Sequence, residues 1–123
     1  MGKHLILIVD DEPRLLKSLS LLLKREFDII TASNGKEGYE QFRATPYLSL
    51  ILLDLDMPVM NGIEMLKRVR EISSKMKVII MTGGHRPDLA FDSAMMNVQG
   101  YIKKPFDIDA LSNKIKELLV KTC

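Results

Sequence analysis

The feature that most constrains this chain is a set of continuous apolar runs, each closed by a polar residue. Leu5-Ile6-Leu7-Ile8-Val9 stops at Asp10-Asp11, Leu50-Ile51-Leu52-Leu53 at Asp54, and Val78-Ile79-Ile80-Met81 at Thr82. A strand with one wet face alternates apolar and polar side chains, whereas an unbroken apolar run needs cover on both faces. The runs therefore point to a parallel sheet with helices packed on either side. Two weaker strand-like segments, Phe27 to Thr31 and residues 100–103, bring the number of strands to five.

Helical patterns fill the gaps. The first helix starts at Pro13, whose ring presets the first turn. Its residues Leu15, Leu16, Leu19, Leu22 and Leu23 are expected on one buried stripe, with Leu21 facing away among Arg14, Lys17 and Arg25. A second helix follows Ser33-Asn34-Gly35, and a third follows Asn61-Gly62 with Ile63, Leu66 and Val69 inward. The fourth spans Pro87 to Met96, stopped by Asn97 in a left-handed conformation. The fifth is capped by Asp107, with Phe106 and Leu111 as a hydrophobic staple. Ile108, Leu111, Ile115, Leu118 and Leu119 form its inner stripe. Five strand–helix units with right-handed crossovers leave few topologies. The leading one is an α/β, doubly wound, five-stranded parallel sheet of order 2-1-3-4-5, in a single domain over residues 4–121.

Bulk properties narrow the function classes. A length of 123 residues suits one core, and a net charge of +2 creates no strong field favouring nucleic acid or membrane. The lone cysteine, Cys123, forms no intrachain disulfide, and no apolar run approaches the roughly 20 residues of a membrane helix. The start, Met1-Gly2-Lys3-His4, lacks a signal-peptide pattern. A cytoplasmic location is expected.

In such a sheet the carboxyl ends of the strands line one edge, where ligands bind. Asp10, Asp11 and Asp54, the Thr82 hydroxyl and the Lys104 ammonium would meet there. Three carboxylates beside a hydroxyl and an amine suit a hard divalent cation plus a phosphoryl group. An acidic pair before a helix also arises simply because carboxylates favour helix N-termini. Asp54 carries more weight, because a carboxylate directly after a buried strand has no packing role and is costly to bury. Clustered carboxylates raise one another's pKa unless Mg2+ and Lys104 compensate. After Thr82, Gly83-Gly84 permits close backbone approach to an oxyanion. Lys104-Pro105 invites a fixed turn, with a cis bond as one option, that would aim one lysine inward.

These pieces resemble the receiver domain of two-component response regulators. They are Val9-Asp10-Asp11-Glu12-Pro13, the segment Asp54-Leu55-Asp56-Met57-Pro58-Val59-Met60-Asn61-Gly62, then Met81-Thr82-Gly83, and Tyr101-Ile102-Lys103-Lys104-Pro105-Phe106. The resemblance runs from about residue 4 to residue 120 and implies a flavodoxin-like (CheY-like) fold. It also implies roles. Asp54 would be the phosphoacceptor. Mg2+ would be held by Asp11, by Asp10 mainly through water, by Asp54 and by the Asp56 backbone carbonyl. Thr82, the Gly83 N–H and Lys104 would hold phosphoryl oxygens. Thr82 and Tyr101 would form the switch, while Asp56 and Gly84 would tune the lifetime of the phosphorylated state. Such a domain is not an enzyme acting on outside substrates, and catalyses only its own phosphorylation and dephosphorylation.

The partners implied are a sensor histidine kinase or histidine phosphotransfer protein and an output partner or domain. The chain would be a monomer or a phosphorylation-dependent dimer. Direct contact with nucleic acid is not expected, since the chain contains no helix-turn-helix pattern, and contact with a membrane is not expected, given the small net charge and the lack of a long apolar run. Two alternatives differ in class. One is a receiver-fold interaction module that takes no phosphoryl group. The other is a haloacid dehalogenase-like phosphohydrolase, suggested by Asp54-Leu55-Asp56, although Pro58 and the short sequence after Asp54 argue against it.

Overall fold

The computed structural model describes residues 3–55, 57, 59–83 and 87–120. Among the described residues ten elements alternate: β1 (Leu5–Val9), α1 (Pro13–Leu23), β2 (Asp28–Ala32), α2 (Gly35–Ala44), β3 (Leu50–Asp54), α3 (Gly62–Ile72), β4 (Lys77–Thr82), α4 (Pro87–Ala94), β5 (Gly100–Lys103) and α5 (Ile108–Val120). The strands form one parallel sheet of order β2-β1-β3-β4-β5, the topology expected from the sequence.

Each unbroken run divides its side chains between two cores. Leu5, Leu7 and Val9 join Ile51, Leu53, Val78 and Ile80 beneath α2, α3 and α4. Ile6 and Ile8 join Leu50, Leu52, Ile79 and Met81 beneath α1 and α5. Side chains on a strand alternate between faces, so a sheet covered on both sides needs apolar residues at every position. β5 is an edge strand, and there alternate residues become exposed.

The helix starts follow the cap chemistry. Asn34 Oδ1 accepts the Glu37 N–H at 2.8 Å to open α2. Asn61 and Glu64 form a reciprocal capping box that opens α3. Asp107 accepts the Ala110 N–H at 3.1 Å to open α5. Phe106 packs against the core that contains Leu111.

Three details depart from the sequence expectation. β2 begins one residue later, at Asp28, and Phe27 is instead a buried anchor. α4 ends at Ala94, two residues short of Met96, although Asn97 does take the left-handed conformation, with φ 56°. Leu22 is not on the buried stripe of α1 but is 54 % exposed, much like Leu21 at 51 %. The stripe is centred on Leu19 and Leu23. At about 100° per residue, Leu22 lies roughly 60° from Leu19 and 100° from Leu23, beyond the margin of the core.

Candidate functional site

The strand register brings the sequence-predicted residues together. Val9 pairs with Leu53, so Asp10 and Asp54 emerge side by side from adjacent strands. Thr82 pairs with Lys103, and the Lys104 N–H donates to the Thr82 carbonyl at 2.7 Å. The Lys104–Pro105 peptide is cis.

Asp10 is completely buried. Its Oδ1 accepts the Glu12 N–H at 2.9 Å, and its Oδ2 accepts from Lys104 Nζ at 2.7 Å. Lys104 Nζ also lies 3.6 Å from Asp54 Oδ1. One carboxylate oxygen from each of Asp10, Asp11 and Asp54 lies within 4.8 Å of the others. Asp11 is the exposed member. A cavity of about 630 Å³ opens over the group. Its described lining includes Asp11, Asp54, Thr82, Gly83 and Lys104, with Leu15 and Phe106 as apolar walls.

Burial and crowding set the electrostatics. Burial, then the Asp10 charge, push the Asp54 carboxyl up to about 7, against the pull of Lys104. Asp11, although exposed, is also raised, by partial desolvation of its carboxyl and then by the Asp10 charge. Burial alone would lower the Lys104 ammonium, but its hydrogen bond to Asp10 and the charges of Asp10 and Asp54 outweigh this and leave it above its usual value. Among the described residues three carboxylates face one ammonium, an excess of negative charge that a cation can neutralise. Oxygens at opposite corners of a Mg2+ octahedron lie about 4.2 Å apart, given bonds of about 2.0–2.1 Å. The cluster's oxygens, within 4.8 Å of one another, offer the hard oxygen ligands that Mg2+ takes.

The sequence matches the response regulator receiver domain family over residues 6–116. The chain belongs to that family. It is 35 % identical to sporulation initiation phosphotransferase F of Bacillus subtilis, over 97 % of this chain and 96 % of that protein. It is 37 % identical to the transcriptional regulatory protein SrrA of Staphylococcus aureus, over 95 % of this chain. The chain spans about half the length of SrrA, at 48 %. Among solved structures, a receiver domain protein from Clostridium thermocellum superposes with a TM-score of 0.89 at 28 % identity, over 96 % of this chain and 95 % of that one. A chain of the CheX–CheY–BeF3–Mg2+ complex from Borrelia burgdorferi gives 0.87 at 27 % identity, over 95 % and 90 %. Membership in the receiver family displaces the phosphohydrolase alternative.

Not every predicted residue lines the cleft. Tyr101 lies on β5, 40 % exposed, and its hydroxyl is 3.1 Å from Ser93 Oγ on α4. Asp56 and Gly84 fall outside the described residues. Sequence reasoning missed the Glu12 backbone N–H, which orients Asp10, and Ser93, which is fully buried. Ser93 had a signal: it stands four residues after Leu89, on the inward stripe of α4. Among described helices, none is long and apolar enough to cross a membrane.

Proposed function

We propose that Asp54 is the phosphoacceptor of this receiver domain. The observation that carries the reading is the meeting of Asp54 with Asp10, Asp11 and Lys104 at the end of β3. The donor would be the phosphoramidate of a histidine on a sensor kinase or phosphotransfer protein in the cytoplasm. An Asp54 carboxylate oxygen attacks phosphorus, the P–N bond breaks, and the electron pair leaves with the imidazole. The product is an acyl phosphate on Asp54.

The remaining residues divide the work. Mg2+ would be held by Asp11, Asp54 and the Asp56 carbonyl. Asp10 would reach it through water, since both its oxygens already accept hydrogen bonds. When bound, the cation supplies charge neutralisation for the incoming phosphoryl oxygens. Lys104 pairs with one of those oxygens, exchanging its contact with Asp10 for it, while the Thr82 hydroxyl and the Gly83 N–H receive others. Leu15 and Phe106 exclude water from one side of the cleft. Thr82 then biases Tyr101 and the α4–β5 face, while Asp56 and Gly84 tune the lifetime of the state. Catalysis is limited to the chain's own phosphorylation and dephosphorylation, and the readout is altered binding of an output partner or a second copy.

Asp54→Asn should abolish the phosphoryl adduct formed from a histidine kinase or a small acyl phosphate with Mg2+, as read by intact-protein mass. A stoichiometric adduct persisting in that variant would sink the assignment. Removing Mg2+ from the native chain should suppress the adduct as well.

A further inference from the structure

Gly62 opens α3 and Gly35 opens α2, and neither adopts the left-handed conformation that glycine alone tolerates well. What both positions lack is space. A Cβ on Gly62 would lie 2.3 Å from the Asp54 carbonyl oxygen, and one on Gly35 would lie 2.3 Å from the Met60 carbonyl oxygen. The Gly62 N–H donates to the Leu55 carbonyl at 2.9 Å, and the Gly35 N–H donates to the Met60 carbonyl at 2.9 Å. The loop leaving Asp54 is thus gripped at each end by the first residue of a helix. Leu55, Met57 and Met60 anchor it below with buried side chains.

We infer that Gly35 is a positioning residue for phosphoryl transfer at Asp54: its bare Cα lets α2 seat on the Met60 carbonyl and sets the path of the loop that leaves the acceptor. The inference rests on Asp54 being the acceptor. A Cβ makes ordinary contact only from 3.4 Å, so Gly35→Ala must open this junction by about 1 Å. The obstacle is a backbone carbonyl rather than the end of a flexible side chain. Displacement of about 1 Å near a reacting group can cost on the order of 100-fold in rate. Local propensity acts in the opposite direction, because alanine favours a helix over glycine. Considered alone, α2 should gain from the substitution. Gly38, one turn on, is an internal control: its Cβ would meet Met65 Sδ and Val9 Cγ2 at 2.9 Å, both side-chain atoms in the core.

The test compares native, Gly35→Ala and Gly38→Ala full chains at a temperature where each is at least roughly 95 % folded by circular dichroism. Acetyl phosphate serves as donor at saturating Mg2+. Gly35→Ala should lower the limiting rate about 10- to 100-fold with little change in donor KM, and should move the amide resonances of Met57, Met60 and Asn61. Gly38→Ala should stay within about threefold of the native rate. A native limiting rate in Gly35→Ala with unmoved loop amides overturns the inference, as does an equal fall in Gly38→Ala. If Gly35→Ala does not fold, Asn34→Ala replaces it, removing the cap that seats α2 without adding an atom at the junction. It should be several-fold slower, and a native rate in it overturns the inference. A native chain that takes no phosphoryl group on Asp54 overturns the proposed function itself. A native chain modified there, with Gly35→Ala equally fast, overturns the Gly35 role alone.

Discussion

Asp54 and Glu26 each stand beside a lysine, yet they titrate in opposite directions. Lys104 Nζ lies 3.6 Å from Asp54, but burial and the Asp10 charge carry that carboxyl up to about 7. Glu26, at the foot of α1, pairs with Lys116 and accepts from Ser112 Oγ at 2.8 Å, both on α5. Its carboxyl is held below the usual range by the Lys116 hydrogen bond and then by Ser112. A neighbouring cation does not by itself decide the outcome. At the sheet edge Lys104 is shared with a fully buried competitor, Asp10, and Asp54 itself is buried. On the α1–α5 surface one carboxylate has an ammonium and a hydroxyl to itself in water. The first arrangement stores unfavourable charge that a cation and a phosphoryl group can relieve, whereas the second only ties two helices together.

The largest test of this contrast removes the shared lysine. Lys104→Ala leaves the buried Asp10 without its cation and should cost about 2–4 kcal/mol in urea unfolding without metal at neutral pH. Saturating Mg2+ should return part of the loss. A cost no greater than that of removing Lys116 would break the contrast, because it would make the Asp10–Lys104 pair equivalent to a solvated one.

Next in size is the release of stored charge. Asp54 titrates at about 7 in the folded chain, above its ordinary 3.8. Between those values the folded state holds a proton that the unfolded state has lost, so stability falls as pH rises through this window. Asp54→Asn removes that dependence. The metal-free variant should be more stable than the native chain by on the order of 1–3 kcal/mol at pH 8, with the advantage shrinking toward pH 4. Denaturant titrations at the two pH values read it directly, and a variant less stable at pH 8 would contradict the raised carboxyl.

The smallest effect belongs to the surface pair. Glu26 titrates below its ordinary 4.5, so its contribution is present above that value and lost as pH falls through the lower folded-state value. Glu26→Gln should lower Tm at neutral pH, a shift smaller in size than either change above, and added salt should erase most of the difference. A salt-insensitive drop rivalling that of Lys104→Ala would show that the two regions differ less than their geometry indicates.

Much was legible in the chain before any folding was considered. Unbroken apolar runs, read with strand alternation, predict a parallel sheet covered on both faces, and cap residues such as Asn34, Asn61 and Asp107 mark where helices begin. These signals are local, carried by neighbours within a few positions. The gathering of Asp10, Asp11, Asp54, Thr82 and Lys104 was also readable, because parallel strands all present their carboxyl ends to one edge. Tertiary structure alone decided the choices between distant partners. It gave Lys104 to Asp10 at 2.7 Å rather than to Asp54, tied Tyr101 to Ser93, and left Leu22 outside the core. It also made Gly35, legible in the sequence only as part of the start of a helix, a seat for the Met60 carbonyl. Asp10 and Lys104 are 94 residues apart, and contacts of that kind depend on how whole elements pack and on which groups packing strips of water. No local pattern encodes either one.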